Sequence, residues 1–264
     1  MDVKFHYFYM FLRADILNNF SSFGKVIYEL LMMFLRLLML FYLSEYIFER
    51  SINTAFNIES YFVYIFSGIV FLDISSSVIP AISKAIMRYK ADGIFEELKK
   101  LPISTFSMLF YSLSYPVIYS FLKSIIYFIM ASYIYGEYIF PLQSLPIYIF
   151  MCLLFIVPSI GLSFFMGALF LRDLKPFIFM NTYVFLSIFL GGVFFPVDLL
   201  PNYLQIFSCL FPIAFAIESI RELYSVYGPF LNVINSATFL ILLSSIYLAL
   251  GYAFLNQSII KDRE

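Results

Sequence analysis

The chain has 264 residues, of which 62% are hydrophobic and only 12% are charged. A soluble domain is about 45–50% apolar and about 25% charged, so the composition excludes an ordinary soluble protein and indicates an integral membrane protein. Lys and Arg total 16 and Asp and Glu total 17, so no basic excess favours nucleic-acid binding. No composition break divides the sequence, and we predict one domain over residues 1–264.

The first 24 residues predict an amphipathic helix that lies in the membrane surface, because apolar and polar side chains fall on different sides of it. The apolar set is Phe5, Phe8, Tyr9, Leu12, Ile16 and Phe20, and the polar set is Lys4, Arg13, Asp15 and Asn18. An ordinary packed helix is the alternative.

Long apolar runs follow, and a membrane-spanning helix needs about 20 mostly apolar residues. We predict a six-span, all-α bundle within residues 26–255 and a polar tail over residues 256–264. The predicted spans are residues 26–48, 61–83, 106–135, 145–171, 177–195 and 233–255.

Positive charge is distributed unevenly between the two ends of this bundle. Twelve Lys and Arg residues fall on the side of the termini: Lys4, Arg13, Lys25, Lys84, Arg88, Lys90, Lys99, Lys100, Arg172, Lys175, Lys261 and Arg263. Only Arg50 and Arg221 fall on the other side. The positive-inside rule therefore predicts cytoplasmic N- and C-termini.

Residues 187–224 are apolar but contain too many helix breakers for one straight helix. We predict a span that ends near Pro196, followed by two short re-entrant helices at about residues 198–208 and 212–224. Irregular backbone at membrane depth survives where it is buried in protein or lines a cavity, so this hairpin is a candidate outer gate. Its candidate residues are Gly192, Pro196, Pro201, Pro212, Glu218 and Arg221.

Two segments carry distinct motifs. The first is GGVFFPVDLLPNYLQIFSCLFPIAFAIESIRELY at residues 191–224, which contains a broken span, an L-P-x-x-L-Q segment and a P-x-x-x-x-x-E-x-x-R helix. The second is GIFEELKKLPIS at residues 93–104, which has the form G-x-x-E-x-L-x-x-x-P-[IV]-S. Both segments resemble the permease subunits of the ABC type-2 transporter family, in which the second segment is cytoplasmic. The resemblance extends over nearly the whole chain.

The second segment is interpreted, through this resemblance, as a coupling helix that seats in an ATPase. The residues expected to carry the coupling are Gly93, Phe95, Glu96, Glu97, Leu98 and Pro102. Asp92 is expected to cap the helix, and Glu96 is expected to pair with Lys100. From the pattern alone, a solvated loop helix is the alternative.

The resemblance also implies the partners of the chain: a P-loop ATP-binding subunit, a second permease copy or paralogue, and the bilayer of the cell membrane. ATP and Mg are expected in that ATP-binding subunit. We expect no cofactor, metal site or catalytic residue in this chain. It contains no G-x-x-x-x-G-K-[ST], because Gly24-Lys25 lacks the upstream glycine.

Three ionisable residues lie deepest in the predicted spans, namely Arg36, Asp73 and Lys123. Charges at this depth usually face protein or water, so they either line a polar pathway or form ion pairs within the bundle. Small residues also recur every fourth position at Ser159, Ser163 and Gly167, which favours close helix packing within one subunit over the alternative of a dimer seam.

The predicted function is that of an ATP-driven exporter permease, with a drug-like or lipid-like amphiphile as cargo. A lipid-linked polysaccharide is the alternative cargo. An intramembrane hydrolase is disfavoured because the only histidine, His6, lies outside the spans. An ATP-independent channel or secondary carrier would leave residues 93–104 without a purpose.

Overall fold

The computed structural model describes residues 3–19, 23–44, 58–135, 145–172, 176–194, 197–224 and 230–261. Every regular element in these ranges is helical. The α-helices are α1 (Val3–Asn19), α2 (Phe23–Tyr42), α3 (Ile58–Val78), α4 (Ala81–Ala91), α5 (Phe95–Leu98), α6 (Thr105–Tyr111), α7 (Ser114–Tyr135), α8 (Leu145–Leu171), α9 (Pro176–Leu190), α10 (Asn202–Ser208), α11 (Pro212–Tyr224) and α12 (Phe230–Lys261). A 3₁₀ turn at Val197–Leu199 precedes α10.

Four helical stretches in the described residues are long and apolar enough to cross a membrane: Ile65–Ala91, Thr105–Ile134, Leu145–Leu171 and Asn235–Lys261. The helices α10 and α11 form a further apolar pair that is bent by 95°. The helix α9 is apolar but has only 15 residues. The protein is therefore an all-helical membrane protein with four to five candidate spans, and six spans stay a prediction.

The second predicted span was too short, because helix continues beyond residue 83. After a turn at Pro80, α4 runs to Ala91 and buries Ile82, Ile86 and Tyr89 on one side. Lys84 and Lys90 are exposed on the other side. Packing of one apolar face thus keeps the chain helical where the sequence composition turns polar.

The end of the last helix was also misplaced, since the predicted tail over residues 256–264 is helical up to Lys261. Leu255, Ser258 and Ile259 are buried there. Their spacing of three and four residues places them on one face of α12, which continues the packing of the preceding turns.

Close approach of α8 and α12 forms the centre of the bundle, and α3, α4 and α11 also pack on α8. A Cβ at Gly161 would lie 2.5 Å from the backbone carbonyl of Tyr247 on α12. A Cβ at Gly251 would in turn meet the carbonyl oxygen of Gly161. Small residues at this crossing therefore let the two backbones touch.

The predicted small-residue face of α8 packs against α4 inside the same chain. The Ser163 hydroxyl accepts a hydrogen bond of 3.3 Å from the Ile82 backbone N–H. A Cβ at Gly167 would meet the side chain of Ile82. This face thus brings α4 onto the central helix.

The helix α1 packs on the bundle through a face that only partly matches the predicted apolar side. Phe8 from that side packs edge-on against Tyr111, and Phe11 from outside it contacts Tyr89 and Tyr111, whereas Phe5 is exposed. Asp15, which was expected on the polar side, is buried and accepts a 2.5 Å hydrogen bond from Arg88. Burial raises the pKa of Asp15, and the nearby Arg88 opposes that rise. The membrane-surface position of α1 stays a prediction.

We predict that Gly161→Leu destabilises the fold, because the new side chain must push α8 away from α12. Overpacking of this kind costs about 1–3 kcal/mol. The melting temperature of the purified protein in detergent should fall by several degrees. Gly24→Leu is the matched control, since nothing lies within 4 Å of a Cβ there. Equal melting temperatures for the two variants would contradict the proposed crossing.

Candidate functional site

The short helix α5 is attached to the bundle by one buried aromatic ring. Phe95 is 4% exposed and packs in a cluster with Tyr89, Met108 and Ile259. The Lys99 and Lys90 ammonium groups lie 4.6 Å and 5.8 Å from its ring centroid, within reach of a cation–π attraction. The ring thus fixes α5 beside the ends of α4 and α12.

The polar groups of α5 face outward. Glu96 and Glu97 are exposed, and Leu98 is half-buried. Glu96 accepts from Lys99 at 3.0 Å, so the expected pair with Lys100 is replaced by a pair one residue closer. The residue before α5 is Ile94 with no side-chain cap, so the expected cap by Asp92 was wrong.

Backbone hydrogen bonds join α5 directly to α4. Gly93 has a φ of 71°, a left-handed conformation that glycine adopts without steric cost and that commonly ends helices. The Ile94 N–H then donates to the Tyr89 carbonyl at 3.1 Å. At the other end, Pro102 is exposed and the Ser104 hydroxyl caps α6 by accepting from the Ser107 N–H. The segment is therefore a short bridge between α4 and α6.

The predicted outer gate begins at a glycine and not at a proline. The helix α9 ends at Leu190, and Gly192 has a φ of 69°. The expected end of this span near Pro196 was therefore too late, and Pro196 itself lies outside the described residues. The Arg221 side chain donates from Nη2 to the Gly192 carbonyl oxygen at 2.6 Å, which ties α11 to this break.

Two side chains fix the rest of this broken segment, which comprises the 3₁₀ turn, α10 and α11. The Gln205 amide donates to the carbonyl oxygens of Asp198 and Leu200 at 3.1 Å and 2.8 Å. The Tyr247 hydroxyl on α12 donates to the Leu210 carbonyl oxygen at 2.6 Å.

The remaining predicted gate residues lie at helix starts or on the surface of the hairpin. Pro201 is exposed and directly precedes α10, and Pro212 is buried as the first residue of α11. Both prolines therefore stand where a missing backbone N–H costs least. Glu218 is exposed on α11.

The three predicted intramembrane charges meet at one point between α2, α3 and α7. Asp73 pairs with Arg36 at 2.8 Å and with Lys123 at 3.0 Å. The Tyr127 hydroxyl donates to Asp73 at 2.8 Å and accepts from Arg36 at 3.1 Å. The Asp73 carboxylate thus pairs with both cations. Of the two sequence-based alternatives, this arrangement is the ion pair within the bundle, and it includes both Arg36 and Lys123.

Sequence reasoning missed Tyr127 and Tyr247. Tyr127 follows Lys123 by four residues on α7, so helical spacing could have placed it beside the charges. Tyr247 carries no such signal, because its partner is a backbone carbonyl in another element. Within the described residues, no group of three or more His, Cys, Asp or Glu side chains could hold a metal ion.

Comparison with known proteins decides the family. The family model described as ABC-2 type transporter matches residues 16–225. The chain belongs to the ABC-2 type transporter family. It is also 30% identical over 135 residues to a protein of Cyanophora paradoxa named "Putative transport permease ycf38". This match covers 50% of the chain and 46% of that relative.

Membership assigns the protein to the permease-type transport proteins of the membrane. Members of this family are transmembrane transport subunits, and they typically pair with an ATP-binding subunit. The matched range contains α5, the charge cluster and the bent pair of α10 and α11.

We predict that Asp73→Asn destabilises the ABC-2 permease, since it leaves Arg36 and Lys123 together without an anion. Removing one partner of a buried ion pair costs about 3–5 kcal/mol, and partial exposure of Arg36 reduces this figure. The melting temperature in detergent should fall, and Lys123→Met added to Asp73→Asn should recover part of the loss. Asp198→Asn, at an exposed site, is the control. Full stability of Asp73→Asn would contradict the role of the pair.

Proposed function

We propose that this chain is the membrane-spanning subunit of an ATP-driven exporter in the cell membrane. The observation that carries the proposal is α5, a short exposed helix fixed to the bundle by Phe95 within an ABC-2 permease. The exposed carboxylates of Glu96 and Glu97 offer a polar surface to a partner. A P-loop subunit would bind ATP and Mg and contact the permease at this surface.

The connection of α5 to the bundle suits the transfer of force. A four-residue helix is too short to be stable alone, so α5 depends on its contacts with α4 and the Phe95 cluster. A push on α5 is therefore received by α4, which packs along α8. Gly93 and Pro102, at the two ends of the segment, set the turns by which it enters and leaves.

We propose further that two copies, or this chain and a paralogue, form the translocation pathway. The helix α9 begins near Phe170, whose ring lies close to Lys90 beside α5, and it leads to the hairpin of α10 and α11. Large apolar side chains are exposed along this route, among them Phe179, Phe185 and Ile206. Such a surface fits lipid or a second permease, and the hairpin would close the far end of the pathway.

An amphiphile is the cargo that these surfaces suit, since the bundle is rich in Phe, Tyr and Met. The charge distribution supports a cytoplasmic position for both termini, and with that orientation α5 would lie inside and the hairpin outside. Export would then run from the side of ATP binding to the hairpin.

The first test of this proposal uses an affinity-tagged chain purified from its native membrane. We expect a P-loop ATPase to co-purify and to hydrolyse ATP faster when cargo-like amphiphiles are added. Glu96→Lys combined with Glu97→Lys should abolish this stimulation, because it reverses the exposed charge of α5. Asp198→Lys, at an exposed site on the hairpin, should leave it unchanged. Equal stimulation in the α5 variant would remove the coupling assignment.

The second test concerns orientation. In a Cys209→Ser background, which removes the exposed free thiol, single cysteines replace Asn202 or Tyr203. Both positions are exposed, so a membrane-impermeant thiol reagent added outside intact cells should label them. A cysteine at exposed Lys100 is the control and should react only after the membrane is opened. Labelling of position 202 or 203 only in opened cells would reverse the topology.

A further inference from the structure

A cavity of about 510 Å³, which is open to the surface on one side, lies beside α2 and reaches the charge cluster. Its wall combines the methionines Met32, Met33 and Met39 with the charged residues Glu29, Arg36 and Lys123. Methionine side chains are flexible and polarisable, so they fit apolar ligands of irregular shape. The cavity therefore offers both an adaptable apolar wall and fixed charges.

The hydrogen-bond capacity of the cations exceeds what Asp73 and Tyr127 use. Both hydrogen bonds found for Arg36 among the described residues come from Nη1, which leaves Nε and Nη2 without a protein partner there. The Arg36 side chain is 43% exposed. Lys123 has three donor hydrogens, and its contact in the described chain is with Asp73. Within the described residues, two cations thus share one carboxylate at the cluster, which leaves one positive charge in excess there. Glu29, the other carboxylate at the cavity, lies about 10 Å away along α2.

The edge formed by Nε and Nη2 of a guanidinium is suited to two parallel hydrogen bonds with a phosphate or carboxylate. Arg36 lies about 20 Å along α2 from Phe23, at 1.5 Å per residue. If α2 crosses the membrane, as the sequence predicts, an uncompensated positive charge at this depth is expensive. An anion bound at this edge would remove both the charge excess and the open donors.

Glu29 makes the two ends of the cavity electrostatically different. It lies two turns before Arg36 on the same face of α2, and its Oε2 is buried without a hydrogen-bond partner in the described residues. Its end of the cavity therefore repels an anion, whereas the end with Arg36 and Lys123 attracts one. The charged part of a ligand is thereby directed to the cluster.

We propose that this cavity binds an amphiphile with one anionic group, a phosphate or a carboxylate, held by Arg36 and Lys123. The apolar chain of the ligand lies against the methionines. This inference deepens the proposed function by naming a ligand class for the permease. Binding is measured without an ATPase, so its failure is separate from failure of the coupling test at Glu96 and Glu97.

The experiment exploits the absence of tryptophan from the chain. Leu35, which also lines the cavity, is replaced by Trp as the single fluorescent reporter. The purified full chain is placed in bilayer nanodiscs of phosphatidylcholine with either brominated phosphatidylglycerol or brominated phosphatidylcholine as quencher. We expect the anionic lipid to bind about tenfold more tightly at this reporter, the scale of one hydrogen bond to a charged group.

Substitutions then identify the residues that cause the preference for the anionic lipid. Arg36→Gln and Lys123→Gln should each abolish it, because either change removes the excess charge, while Lys123→Arg should retain it. Glu29→Gln should increase the preference, since it removes a repelling carboxylate. Arg13→Gln, on the exposed side of α1, should have no effect. All variants must still be quenched by brominated phosphatidylcholine to the parent level, which shows that the reporter remains in the bilayer.

Three results would overturn the proposal. The first is equal quenching by the two lipids at position 35. The second is the same anionic preference at a remote reporter, Phe185→Trp on α9, which would indicate general attraction to the protein. The third is loss of the preference when millimolar inorganic phosphate is added, which would show that the cavity takes free phosphate and not an amphiphile.

Discussion

The crossing of α8 and α12 at Gly161 and Gly251 is the contact on which the rest of the structure depends. Backbone touches backbone there, so neither helix can rotate or slide without separating from the other. With this pair fixed, Ser163 and Gly167 present a small-residue face that receives α4. The position of α4 then determines the position of α5. A contact between glycines in the middle of the bundle thus sets the geometry of the surface that we propose for the ATPase.

The sequence was a good guide wherever a local pattern decides the structure. Apolar runs located most helices, glycines and prolines located the breaks between α9, α10 and α11, and the four-residue spacing of small side chains located the packing face of α8. The family follows from motifs at residues 93–104 and 191–224, and comparison over residues 16–225 agrees. The charged residues at span depth were also found, because a charge in an apolar run is conspicuous.

The failures have a common cause, which is that tertiary contacts decide what a local pattern leaves open. The helix α4 continues through Lys84 and Lys90 because Ile82 and Ile86 are buried beside them. Asp15 is buried because Arg88, far away in sequence, lies opposite. Tertiary partners of this kind cannot be identified when each sequence segment is examined separately. Helix ends are affected most, since small energies decide whether a last turn forms.

The length of α12 has a mechanical consequence. This helix is one continuous element of 32 residues, about 48 Å long at 1.5 Å per residue. Near one end, Leu255 and Ile259 belong to the same cluster as Phe95. About 18 Å before Ile259 along the axis, the Tyr247 hydroxyl donates a hydrogen bond to the Leu210 carbonyl oxygen, between α10 and α11. The proposed coupling helix α5 and the proposed gate therefore contact the same continuous helix, α12. Because α12 has no break between these two contacts, a displacement at one contact is transmitted directly to the other.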